Sequence, residues 1–173
     1  MLLLDRKGVI TDGWTRTEGA AIDNLSQALV GFDALPDALA QLAPGQQVGV
    51  LISNALSVST LEPFLPRLSL VAIAFPAFAD GRGFSLAKAI RRAGFDGPLR
   101  ASGPLIPDQF DYALACGFDE IELPEASAGR QTVQQWQQAI GRLSQTYQRG
   151  YRREGNILDR RRLARLAAGS AAT

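Results

Sequence analysis

From residue 48 onward, short apolar runs alternate with amphipathic stretches, the pattern of a chain that lays down strand and helix in turn. The runs predict strands at 48–52, 70–75, 99–102 and 120–123, and the stretches between and after them predict helices at 58–65, 85–93, 108–116 and 132–147. The helices carry apolar side chains at i, i+3, i+4 and i+7. These are Leu86, Ala89, Ile90 and Ala93 on one, Phe110, Ala113, Leu114 and Gly117 on the next, and Val133, Trp136, Ile140, Leu143 and Tyr147 on the last. The first two strands are apolar at nearly every position and each precedes a crossover helix, so a parallel sheet covered by helices is expected. The expected class is therefore α/β, with about four βα units that suit either half of a (βα)8 barrel or a small open sheet.

Two helix ends repeat. Gly94-Phe95-Asp96 and Gly117-Phe118-Asp119 each lead straight into a strand, with glycine in the left-handed position after the helix and phenylalanine folded back on its last turn. Pro76, Pro104 and Pro124 each follow a strand and keep the exit loop from continuing the ladder. The first forty-five residues lack this regularity. They read as short strands and turns around 2–4, 9–10, 13–16 and 28–30, then a short helix at 36–42 with Pro36 in its first turn. The organisation expected is one domain over 1–148, a hairpin-like β cap over 1–45 followed by βα units over 46–148, with a tail over 149–173.

That tail changes the charge picture. The net charge of +1 hides seven arginines in residues 149–173 against Glu154 and Asp159, so the body is acidic and the tail basic. A basic tail can hold nucleic acid or an acidic partner. Aromatic interleaving is limited to Tyr147 and Tyr151, so base stacking has little support and the plainer expectation is a solvated terminal helix. The start, Met1 to Lys7, turns charged after three leucines, and no run is long enough to span a bilayer, so a cytoplasmic protein is expected.

The chain has no histidine and one cysteine. Ser-His-Asp catalysis, His-ligated haem, His-containing zinc sites, an internal disulfide and a four-cysteine iron–sulfur cluster are all excluded. No metal site and no intrinsic cofactor are expected. Cys116 falls in the last turn of its helix, where the negative helix end disfavours a thiolate, so it reads as packing.

Candidate chemistry gathers where the second strand runs into a glycine-rich turn and a helix, over Phe75-Pro76-Ala77-Phe78-Ala79-Asp80-Gly81-Arg82-Gly83-Phe84-Ser85. Helix-start N–H groups and the Arg82 guanidinium would face an anion there, and Gly81 and Gly83 would admit it closely. The residues proposed to line an anion or cofactor site are Asp80, Gly81, Arg82, Gly83, Ser85, Arg100, Asp108 and Gln109. Most of them also have a purely structural reading, the glycines as turn formers. Ser85 would serve as an N-cap, Asp80 would pair with Arg82 or Arg100, and Asp108 would complement a helix dipole. A dinucleotide fingerprint fails, because its third glycine position holds Leu86.

Taken together, Leu70 to Pro76, Phe78 to Ser85, Leu99-Arg100-Ala101-Ser102-Gly103, Asp108-Gln109 and Cys116-Gly117-Phe118-Asp119 resemble a bacterial family of unknown function usually labelled a probable oxidoreductase of sulfite reduction. The resemblance covers roughly 45–125. It implies a place in assimilatory sulfur metabolism, beside a sirohaem sulfite reductase haemoprotein. The leading expectation is an accessory protein that associates with that haemoprotein or its electron donor and holds an oxyanion or phosphate at the 81–85 turn. The alternative is a free-standing oxidoreductase that binds FMN or a nicotinamide cofactor at the same turn. A homodimer that covers exposed sheet edges is a further open alternative.

Overall fold

The computed structural model describes residues 1–139. Eight strands form one sheet in the order β2-β1-β8-β7-β6-β5-β4-β3. They are β1 (Leu2–Asp5), β2 (Gly8–Val9), β3 (Thr15–Arg16), β4 (Gln27–Gly31), β5 (Gln47–Ser53), β6 (Leu70–Ala74), β7 (Leu99–Ser102) and β8 (Glu120–Leu123). From β3 to β8 every neighbouring pair is parallel, and β1 joins β8 antiparallel with β2 folded back on it. Between the strands lie α1 (Leu35–Ala40), α2 (Val58–Leu61), α3 (Arg82–Arg92) and α4 (Phe110–Cys116), and after them α5 (Glu125–Ala128) and α6 (Val133–Ala139).

From β3 to β8, strands that follow one another in sequence lie side by side, and right-handed crossovers then place the connecting helices on the same face. The side chains divide accordingly. Val48, Val50, Ile52, Val71, Ile73, Leu99, Ala101, Ile121 and Leu123 point into the main core with Leu61, Ile90, Phe110 and Leu114 of the helices. Leu29, Leu70 and Ala72 point the other way, under Trp14 and Leu51. That second face is concave. Arg16 on β3 bonds Glu122 on β8 at 2.6 Å, five strands away. In a flat sheet those strands would stand on the order of 24 Å apart, out of reach of the two side chains. The sheet is therefore a curled half-barrel.

The parallel α/β reading holds, with more strands in the one sheet than the four of the expected βα units. The first forty-five residues do not form a separate cap, because β1 and β2 extend one edge of the sheet while β3 and β4 extend the other. Pairings this distant leave no periodic trace in strands two residues long. Helix limits also move. The helix expected from Ser85 begins at Arg82, and those expected at 58–65 and 108–116 divide into 3-10 and α segments, at Glu62–Arg67 after α2 and at Pro107–Gln109 before α4. The helix expected over 132–147 is described over Val133–Ala139, and the rest of it, with the basic tail, lies outside the described residues.

Both Gly-Phe-Asp corners form as expected. Gly94 has φ +90° and Gly117 φ +107°, and the Phe95 and Phe118 N–H groups donate back to Ile90 and Ala113 at 3.3 and 3.1 Å. One buried side chain ties the two corners together. Arg91 donates to the carbonyls of Gly117 (3.0 Å), Phe95 (2.7 Å) and Gly97 (2.7 Å) and to the Asp119 carboxylate (2.6 Å).

Candidate functional site

The β6–α3 corner is built on Phe75. Its buried ring meets Phe84 at 5.1 Å and Phe118 at 5.8 Å. A Cβ on Gly83 would stand 2.4 Å from that ring, and one on Gly103, at φ +149°, would stand 2.1 Å from the Phe75 carbonyl oxygen. Two of the glycines in the motif stretches are thus required by close packing of α3 and of the β7 exit loop on Phe75, and Gly83 is buried rather than turned to a ligand. Gly81, just before α3, has φ −78° and ψ 0°, on the negative-φ side that does not require glycine.

Asp80 and Arg82 hold each other. The guanidinium donates to the carboxylate at 2.9 and 2.6 Å, and the Arg82 backbone N–H adds a bond of 3.3 Å. The Arg82 guanidinium holds the Asp80 carboxyl far below the usual carboxylate range, and the paired carboxylate raises the arginine in turn. The protein's own carboxylate therefore occupies the position expected for an oxyanion at this helix start. The buried Asn54 amide also stabilises the Asp80 charge, yet its Nδ2 stops short of hydrogen-bond geometry to any described group. Ser85 lies exposed on α3, three residues into the helix, and caps nothing.

Gln109 joins this corner from the neighbouring loop. Its Nε2 donates to the Phe78 carbonyl at 2.7 Å while its Oε1 accepts the Ile106 N–H at 3.2 Å. Phe78 itself is 54% exposed. Asp108, in the same 3-10 turn as Gln109, lines a separate recess with Arg130 and Gln135. Asp80, Gly81, Arg82 and Gln109 are thus gathered at the C-terminal ends of the strands, and Ser85 projects from the same helix start.

Arg100 is not with them. It is 1% exposed on the concave face of β7, where its two terminal nitrogens donate to Asp12 at 2.7 and 2.9 Å and its Nε reaches Glu120 at 3.4 Å. Glu122 lies 3.5 Å from the same guanidinium and also takes Arg16. Two arginines thus share the concave face with Asp12, Glu120 and Glu122. Burial opposes the Arg100 charge, but the Asp12 hydrogen bond and the carboxylates around it more than restore it, and its pKa is raised. Burial pushes Glu120 up, and Arg100 only partly offsets that. Burial acts on Asp12 in the same sense, but the bonds from Arg100 and the Trp14 N–H outweigh it, so Asp12 is lowered. Asp12, Arg16, Glu120 and Glu122 did not figure among the expected site residues. A signal existed for the last two: Arg100/Ser102 and Glu120/Glu122 are polar at a spacing of two inside otherwise buried strands, which marks one polar sheet face.

Below this network, at the N-terminal ends of the strands, opens a cleft of about 740 Å³. Cys116 is fully buried, and burial raises its thiol above the ordinary value, as the packing reading requires. Among the described residues no helix is long and apolar enough to cross a membrane.

A family model described as bacterial protein of unknown function (DUF934) matches residues 49–157, more than half of the chain. The chain belongs to that family. No curated protein matches it. The family match begins in β5 and takes in every strand and helix from there to α6, including the Phe75 corner, Arg100 and Glu120. Asp12 and Arg16, which close the concave face, lie before it.

Proposed function

We propose that the protein is an accessory of assimilatory sulfite reduction that docks on the sirohaem sulfite reductase haemoprotein, or on its electron donor, through the loop 76–80. The placement in sulfite reduction comes from the sequence resemblance, and the docking loop comes from Phe78. This aromatic is 54% exposed, yet its backbone is pinned by Gln109 and flanked by the Asp80–Arg82 pair. Tyr112, also exposed, meets Phe84 edge-on at 5.0 Å beside the same corner. Aromatics held rigidly in the open, with arginine nearby, are the usual anchors of protein interfaces. An oxyanion carrier, in contrast, needs unfilled donors, and here Arg82 reaches an anion only by exchanging Asp80 for it.

The test is affinity capture of the full chain from a lysate that contains the haemoprotein. Co-purification that is lost in Phe78→Ser, with unchanged thermal stability, supports the reading. Failure to co-purify, together with normal growth of a deletion strain on sulfite, removes it. A flavin absorbance band in the purified protein would instead favour the self-sufficient oxidoreductase.

A further inference from the structure

We propose that the cleft at the N-terminal ends of β4, β7 and β8 binds a small organic cation, an ammonium or amidinium group on an apolar body, with Glu120 as its counter-charge. This site lies at the opposite end of the sheet from the Phe78 loop and does not depend on the docking reading. Three observations carry it. The cleft, about 740 Å³, falls within the range of roughly 300–1,000 Å³ in which small-molecule sites occur. Leu3, Ile10, Trp14 and Leu114 give it an apolar stretch of wall within an otherwise mixed lining. Its floor is polar and charge-imbalanced.

The imbalance is specific. Asp5, Asp12, Asp119 and Glu120 line the cleft against a single buried arginine, Arg100, and of the four Asp119 is already bonded by Arg91 from outside it. Arg100 spends its two short bonds on Asp12 and gives Glu120 only the 3.4 Å contact. Glu120 is 8% exposed, and among the described residues it accepts no other bond. Asp5, its partner across the β1–β8 ladder, already accepts the Lys7 and Gly8 N–H groups. A nearly buried carboxylate with an open acceptor toward a partly apolar cleft is under-satisfied, and a cationic donor corrects both the charge and the missing bond. The apolar stretch of wall fits the body of such a ligand. Arg6 and Lys7 line the cleft as well, and both are exposed, so their charges stay solvated and weigh less on the floor than the buried groups.

The probe is benzamidine, an aromatic amidinium, with benzamide as its uncharged counterpart. Titration of the full chain by calorimetry and amide chemical-shift mapping should give saturable binding of benzamidine, shifts centred on residues 3–14 and 120, and little binding of benzamide. Glu120→Gln should weaken benzamidine at least about tenfold, the loss of one hydrogen bond to a charged group. Thr11→Trp keeps the test independent of any folding defect in that variant, since Thr11 is exposed and lines the cleft, and it should also weaken binding by occlusion. The proposal fails if benzamidine does not bind, if benzamide binds as well, if the shifts map elsewhere, or if a folded Glu120→Gln binds unchanged.

Discussion

Replacing Arg100 with methionine removes the cation that three carboxylates share while keeping most of the buried volume. Asp12 is about a third exposed, with 34% of its side chain accessible, so it can rehydrate and its loss is small. Glu120 and Glu122 cannot do so easily, since their side chains are 11% and 3% exposed. Glu122 keeps Arg16, which leaves Glu120 as the stranded charge. Removing one partner of a buried ion pair costs about 3–5 kcal/mol, a third or more of the stability of many domains. Arg100→Met should therefore lose about that much in urea unfolding at pH 7, followed by the fluorescence of Trp14 and Trp136. Arg100→Lys should also be destabilised, because an ammonium cannot reproduce the two-pronged bond to Asp12. The double variant Arg100→Met/Glu120→Gln should recover part of the loss, since no ionised Glu120 is left stranded. A cost below about 1 kcal/mol for the single change, or a double variant no more stable than the single, would refute the reasoning.

Other consequences follow from the same geometry. Gly103→Ala places a Cβ 2.1 Å from the Phe75 carbonyl at φ +149°; backbone strain alone is worth about 1–3 kcal/mol, and a melting temperature within 2 °C of wild type, roughly the shift for 1 kcal/mol, would contradict the close approach. Glu120, with Arg100, Asp12, Asp119 and Asp5 around it, has its pKa raised from 4.5 by burial, so the folded state binds that proton more tightly than the unfolded chain. Its contribution to stability is fully present below pH 4.5 and is lost as pH rises through the raised folded value, so Glu120→Gln should gain on wild type over that interval, and parallel stability–pH curves would rule the effect out. Cys116 should label slowly with a thiol reagent near neutral pH in the native state and quickly in urea; fast native labelling would contradict its burial.

Much of the fold was legible because its signals are local. The strands at 99–102 and 120–123 emerge with the limits read from their apolar runs, and both Gly-Phe-Asp corners follow from glycine's access to positive φ. What escaped was long-range. Nothing near Asp12 or Arg16 in sequence announces partners on β7 and β8, since those pairs depend on the curl of the sheet, and curl emerges only when all the strands are in place. The glycine turn shows the converse. Gly83 read as room for a ligand or as plain turn geometry, and the Phe75 ring that fills the space is eight residues upstream. Arg82 had a partner within two residues, so its pairing with Asp80 was among the structural readings that the sequence offered.

Hydrogen exchange on the full chain, alone and with purified sulfite reductase haemoprotein, tests the proposed role most directly. Docking through the Phe78 loop predicts slowed amide exchange in peptides that cover 76–85 and 109–112, with little change across β3 and β4. An identical exchange pattern with and without the haemoprotein, or protection confined to another surface, would contradict it.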